Sequence, residues 1–125
     1  MKKIFVMALG VVMLAGCNPS PDKAIALAKD EISSDMKDPE SSKFRELRFI
    51  KAGEKEDGTI EGYVCGEINS KNSYGAYAGY TPFYIFLSMK PKGMFSSGVT
   101  YSVTRKVIFS SERQAVDASF NEMCR

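Results

Sequence analysis

Apolar residues recur at helical spacing in the segment 21–37, where they form one side of a predicted helix. That side consists of Ile25, Ala28, Ile32 and Met36. Ser20 and Pro21 are typical of a helix start, because serine caps free backbone N–H groups and proline suits the first turn. Asp38 precedes Pro39 and therefore avoids the α region. The pattern predicts one helix from Pro21 to Lys37.

After residue 39 the apolar positions follow a period of two, which is typical of β-strands. The alternation predicts strands at 44–50, 59–69, 80–89 and 99–109. One face of the second strand carries Ile60, Val64 and Ile68, and its other face carries Tyr63, Cys65 and Glu67. The third strand alternates through Phe83, Ile85, Leu87 and Met89. One face of the fourth strand is predicted to carry Val99, Tyr101, Val103 and Val107.

Polar and glycine-rich segments separate these strands, as a hairpin turn at 53–58, a loop at 70–79 and a turn at 90–98. The capping box Ser111-Glu112-Arg113-Gln114 then predicts the start of a terminal helix. Its apolar stripe consists of Val116, Phe120, Met123 and Cys124. The order α-β-β-β-β-α predicts an α+β fold, in which an N-terminal and a C-terminal helix cover an antiparallel sheet of about four strands.

The first sixteen residues follow a different pattern, because Lys2 and Lys3 precede an uncharged apolar run at 4–14. The run ends in Leu14-Ala15-Gly16-Cys17, which resembles the lipobox of a bacterial lipoprotein signal peptide. The resemblance implies a diacylglyceryl thioether on Cys17, cleavage before it and acylation of the new N-terminus. Residues 1–16 are then the signal peptide, 17–20 the lipidated anchor with a short linker, and 21–125 a single α+β domain.

The residue after the cysteine is Asn18 rather than Asp, which resembles outer-membrane sorting in enteric-type bacteria. The expected location is therefore the periplasmic face of the outer membrane. Two alternatives remain for the first residues: a buried core helix, and a plain secretory peptide cut beside Ala8 or Ala15. A transmembrane span is not expected, because eleven helical residues rise only about 16 Å against a hydrocarbon core of about 30 Å.

Composition limits the function classes. Cleavage before Cys17 leaves 109 of the 125 residues, and it removes two of the 17 Lys and Arg residues, so that 15 basic residues balance 15 acidic ones. Nucleic-acid binding is disfavoured, because it normally needs a basic patch or stripe. The chain has no His, which is the commonest general base and metal ligand. We expect no cofactor and no metal.

Lipidation of Cys17 leaves two cysteines, Cys65 and Cys124. Two remaining thiols in an exported chain are most simply explained by one disulfide. Such a bridge would join the second strand to the terminal helix and would place that helix on the sheet near Cys65. A redox or metal-binding pair is the alternative, although the Cys-x-x-Cys spacing expected of it is absent.

Two further segments form the pattern DPxSxxFR…VCGxxNxKNxxGxYxGxxxF. The first segment is Asp38-Pro39-Glu40-Ser41-Ser42-Lys43-Phe44-Arg45. The second begins at Val64-Cys65-Gly66 and continues through Asn69, Lys71-Asn72, Gly75, Tyr77 and Gly79 to Phe83. The pattern resembles a group of small exported proteins of bacteria and their prophages. The resemblance covers residues 38–83, implies a related fold and supplies no catalytic residues.

The loop at 70–79 and the residue after it support two interpretations. As a recognition surface, Tyr74, Tyr77 and Tyr80 would supply rigid contact area, and Asn72 would supply adaptable hydrogen bonds. As a connection, the glycines would provide positive φ angles and the tyrosines would cover the sheet edge.

A glycosidase-like carboxylate pair is a further possibility, and Glu61 with Glu67 would form it. Both residues lie on the same predicted strand without a companion motif, so solvated strand charges are the simpler interpretation.

Taken together, these patterns predict a small, periplasm-facing membrane lipoprotein that acts as a non-enzymatic binding module. Its partners are the membrane lipid, through the acyl anchor, and an envelope protein or cell-wall component. The alternatives are an inhibitor of a wall-degrading enzyme and a cell-wall-acting enzyme.

Overall fold

The computed structural model describes residues 18–93, 98–110 and 120–124. Helix α1 spans Pro21–Ser34 and begins as predicted, since the Ser20 side chain accepts a hydrogen bond of 3.1 Å from the Lys23 N–H. The predicted end at Lys37 is wrong by three residues. At the end of the helix the Asp35 N–H donates a hydrogen bond of 3.2 Å to the Ile32 carbonyl, three residues earlier, which tightens the last turn. A 3-10 turn at Pro39–Ser41 then leads into the sheet.

Four antiparallel strands form one sheet in the order β1-β2-β3-β4, so each strand pairs with its neighbour along the chain. The strands are β1 at Lys43–Glu54, β2 at Ile60–Asn69, β3 at Thr81–Pro91 and β4 at Val99–Ile108. A short helix, α2, follows at Phe120–Met123. The predicted α+β fold with an antiparallel meander is confirmed. Strand β1 extends four residues past its predicted end, into the segment assigned to the turn.

Helix α1 packs on one face of the sheet. Its buried residues are Ala24, Ala28 and Ile32, and they lie against Val64, Ile68, Phe83, Ile85, Leu87 and Met89. The predicted alternation of β2 and β3 is therefore confirmed. Ala24 rather than Ile25 is fully buried, because Ala24, Ala28 and Ile32 recur every four residues and share the side of the helix that faces the sheet. Ile25 and Met36 pack at the margin of the same cluster.

The opposite face carries a second apolar cluster of Cys65, Tyr84, Phe109 and Cys124, against which Phe120 and Met123 of α2 pack. The expected contact between the terminal helix and the sheet near Cys65 is confirmed for this part of the helix. The predicted capping box at Ser111–Gln114 and Val116 lie outside the described residues.

Strand β4 departs from its predicted alternation. Arg105 pairs with Phe86 while Val103 pairs with Leu87, so Thr104 is an extra residue in β4. A bulge of this kind reverses the side on which later residues point. Val107 consequently packs in the Cys65 cluster instead of sharing a face with Val103. Its predicted placement is wrong.

Among the residues described, no helix combines the length and apolar character needed to cross a membrane.

Candidate functional site

The loop between β2 and β3 is a small ordered hairpin. Lys71 and Tyr77 form an isolated antiparallel bridge. Inside it, the Asn72 N–H donates to the Ala76 carbonyl at 2.8 Å, and the Gly75 N–H donates to the Asn72 carbonyl at 3.0 Å. Gly75 has a φ of 79°, a left-handed conformation that glycine adopts without strain. The loop tip is therefore held by its own backbone.

Two asparagine side chains add to this order. The Asn72 Oδ1 accepts hydrogen bonds from the backbone N–H groups of Tyr74 at 2.9 Å and Ala76 at 3.2 Å. The Asn69 Oδ1 accepts from the Gly79 N–H at 3.0 Å. These amide oxygens point into the loop and fix its shape, so Asn72 serves to position the tip.

Tyr77 ties the loop to the turn before β1. Its hydroxyl donates to the Ser41 carbonyl at 3.0 Å, and the Lys71 N–H donates to the Ser41 Oγ at 2.8 Å. The Tyr77 ring remains 40% exposed. The ammonium groups of Lys43 and Lys71 lie 4.6 Å and 5.8 Å from its centroid, within the range of a cation–π interaction.

Tyr80 lies at the base of the loop and is half-buried. The Arg45 guanidinium lies 4.0 Å from the centroid of the Tyr80 ring. Arg45 also donates through its Nε to the Glu67 Oε2 at 2.6 Å. Because the guanidinium is held from two sides, the Arg45–Tyr80 stack gives the loop a fixed base.

Tyr74 stands apart from these contacts, since it is 95% exposed at the tip. We call Lys43, Lys71, Tyr74 and Tyr77 together the tyrosine–lysine surface. The structure brings the predicted loop residues onto or beneath this surface, and it adds the β1 residues Lys43 and Arg45, which loop composition alone does not reveal. The sequence signal that could have identified Lys43 and Arg45 is the two-segment pattern at 38–45 and 64–83. These two segments meet at this surface through Ser41 and Arg45.

The two carboxylates weighed for glycosidase chemistry are not brought together. Glu61 pairs with Lys55 at 3.0 Å, and Glu67 pairs with Arg45 at 2.6 Å. They are six residues apart on β2, which corresponds to about 20 Å along an extended strand. Catalytic carboxylates of glycosidases lie within about 10 Å of each other. Both glutamates act as strand charges with basic partners.

A polar groove of about 370 Å³ lies at the opposite end of the sheet. It is lined by Lys55, Asp57, Thr59, Ser88, Lys90, Thr100, Tyr101 and Ser102. Hydrogen bonds from Thr59 lower the pKa of the exposed Asp57 carboxyl. The hydrogen bond to Glu31, 2.7 Å long, raises the pKa of Tyr101. The groove charges are internally matched, because Lys90 lies 3.7 Å from Asp57 and Lys55 pairs with Glu61.

The sulfur atoms of Cys65 and Cys124 lie 1.99 Å apart, and their Cα atoms are 5.9 Å apart, which makes the pair capable of a disulfide. Cys17 lies outside the described residues. Within the described ranges, no group of three or more His, Cys, Asp or Glu residues is arranged to hold a metal ion.

Comparison with known protein families, curated proteins and solved structures finds no match to this chain.

Proposed function

We propose that this protein is a lipid-anchored component of the bacterial envelope that faces the periplasm and binds another envelope component through the tyrosine–lysine surface. The observation that carries the proposal is the position of Tyr74. Its ring is 95% exposed, yet its backbone is fixed by Asn72. An aromatic side chain on an ordered loop provides contact area and loses little conformational entropy on binding.

A binding role fits the chemistry of the loop better than catalysis does. Tyrosine is enriched among the residues that dominate binding energy at protein interfaces. The glycosidase form of the wall-acting alternative would require a close pair of carboxylates, and Glu61 and Glu67 are too far apart to provide one. Inhibition of a wall-degrading enzyme would be one form of the proposed binding, carried out by the same surface.

Replacing Tyr74 with alanine is expected to abolish partner capture without weakening the fold. The exposed ring makes little contact, so the free energy of unfolding should change by no more than about 0.5 kcal/mol. Capture is measured in intact envelopes with a photo-crosslinking residue at the exposed position Ser73. The matched control is Tyr101→Ala, which removes a tyrosine that is 40% exposed at the other end of the sheet.

The parent and the Tyr101→Ala control should give the same discrete adduct, and Tyr74→Ala should give none. An adduct whose yield does not depend on Tyr74 would contradict the proposed surface. A large loss of stability in Tyr74→Ala would instead assign the ring a structural role.

Replacing Cys17 with serine is expected to leave the protein uncleaved or soluble. The Ser20 cap fixes the start of α1 only three residues after Cys17, so the anchor would hold the domain near the bilayer. Each acyl methylene that enters the membrane contributes about 0.8 kcal/mol, and several chains together give stable attachment. Labelling with radioactive palmitate and density-gradient fractionation test this directly. Membrane recovery and processing of Cys17→Ser like those of the parent would refute the anchor.

A further inference from the structure

The tyrosine–lysine surface carries two positive charges that have no carboxylate partner within the described part of the chain. Lys43 and Lys71 both lie against the Tyr77 ring, and neither forms an ion pair with another described residue. Carboxylates pair with four described lysines, Lys51, Lys55, Lys90 and Lys106. Lys23, Lys29, Lys37 and Lys92 resemble Lys43 and Lys71 in forming no ion pair with a described residue. Lys43 and Lys71 are distinguished by their position, because both ammonium groups lie beside the same partly exposed aromatic ring on an ordered loop.

The carboxylates closest to the loop in sequence do not compensate these two lysines. Glu67 is engaged by Arg45 at 2.6 Å. Asp38 and Glu40 belong to the turn before β1, and neither lies within ion-pair distance of Lys43 or Lys71. The two ammonium groups are both measured from the Tyr77 centroid, so they are at most 10.4 Å apart, the sum of 4.6 Å and 5.8 Å. Acidic side chains of one bound segment could therefore reach both ammonium groups, each attracted by a neighbouring positive charge.

We propose that the tyrosine–lysine surface binds a carboxylate-bearing segment of a partner protein, with Lys43 and Lys71 pairing its acidic side chains and Tyr74 contacting its apolar part. This inference rests on the proposed function and specifies the chemistry of the partner. The loop composition supports a protein ligand, because tyrosine, serine, glycine and asparagine are the residues that antibody loops use to recognise protein surfaces.

The probe for this proposal is hexaglutamate, with hexaglutamine as the neutral control, titrated into the purified full-length protein in a neutral detergent. Hexaglutamate should bind and hexaglutamine should not. Binding should weaken on raising the salt from about 0.1 M to 1 M, because screening shortens the range of charge interactions. The double variant Lys43→Gln/Lys71→Gln should lose affinity for hexaglutamate by roughly tenfold or more.

The matched control is Lys55→Gln/Lys90→Gln, which makes the same change in net charge at the opposite end of the sheet. It should bind hexaglutamate like the parent. An equal loss in both double variants would show an effect of bulk charge and would overturn the proposal. Binding to phosphatidylglycerol vesicles that depends on Lys43 and Lys71, without binding to hexaglutamate, would also overturn it and would identify a membrane ligand.

The crosslinking assay separates failure of this inference from failure of the proposed function. An adduct at Ser73 that requires Tyr74 but persists in Lys43→Gln/Lys71→Gln would retain the binding surface and reject the acidic partner. Loss of the adduct in both Tyr74→Ala and the double lysine variant, with a normal melting temperature in each, is the result expected here. Absence of any adduct in the parent would reject the surface itself.

Discussion

Replacing both Cys65 and Cys124 with alanine is expected to lower the free energy of unfolding by about 4 kcal/mol. The two residues are 59 positions apart, so their bond would close a long loop and restrict the unfolded chain. Domains of this size have a total stability of about 5–15 kcal/mol. Loss of the bond would therefore remove a large part of the stability of this fold.

The expected local effect is release of the C-terminal segment. The described part of helix α2, Phe120–Met123, lies against the sheet through Phe120 and Met123, which pack on the Cys65 cluster. Cys124 is buried beside Cys65, and the Arg48 Nε donates to its carbonyl at 3.0 Å. Without the bond, that hydrogen bond and the packing of Phe120 would have to hold the segment. We expect its amide hydrogens to exchange first.

Urea unfolding of the oxidised parent and the double alanine variant measures the stability change, and alkylation with non-reducing mass spectrometry measures the thiol state. The parent should lose a comparable amount of stability when a thiol reductant is added, whereas the variant should not respond to it. Two alkylatable thiols in freshly isolated parent would contradict the disulfide. Equal stability of the oxidised and reduced parent would contradict its expected contribution.

The α+β arrangement was predictable because its main determinants are local. Strand β3 alternates between apolar residues that face α1 and residues that face the second cluster, and this period of two is visible without knowledge of the fold. The same is true of β2, where Val64 and Cys65 point to opposite faces. Short polar connections then favour antiparallel neighbours, which gives the observed order.

The features that sequence periodicity missed depend on pairing between strands. The bulge at Thr104 arises because β4 is one residue out of step with β3, and a single strand does not contain that information. Lys43 reaches Tyr77 only because β1 starts beside the end of β2, where Lys43 pairs with Asn69. Composition identified the tyrosine-rich loop, but the charges beside it come from another strand.

Gly62 is another residue whose role appears only after β1 and β2 are paired. It lies in the middle of β2, where a glycine ordinarily weakens a strand. A Cβ at this position would lie 2.6 Å from the Phe49 Cζ and would also collide with the Ile50 carbonyl oxygen. The Phe49 ring thus covers the glycine, and the backbone of β1 fills the space that a side chain would need.

Gly62→Ala is therefore expected to destabilise the fold by about 3 kcal/mol, at the upper end of the range for overpacked positions. The Phe49 ring can rotate only if it gives up its packing, and the Ile50 carbonyl belongs to the strand ladder, so neither moves freely. The change is measured by urea unfolding of the oxidised protein. Gly53→Ala is the matched control, because a Cβ there meets no atom within 4 Å.

The loss of stability in Gly66→Ala should lie between those of Gly62→Ala and Gly53→Ala. A Cβ at Gly66 would lie 2.8 Å from the Leu47 Cδ2, which is the end of a side chain that can adopt another rotamer. The expected order of stability loss is Gly62 above Gly66 above Gly53, with Gly53→Ala within about 0.5 kcal/mol of the parent. If the three substitutions cost the same, general strand propensity would explain them. The close approach of β1 to Gly62 would then have no energetic role.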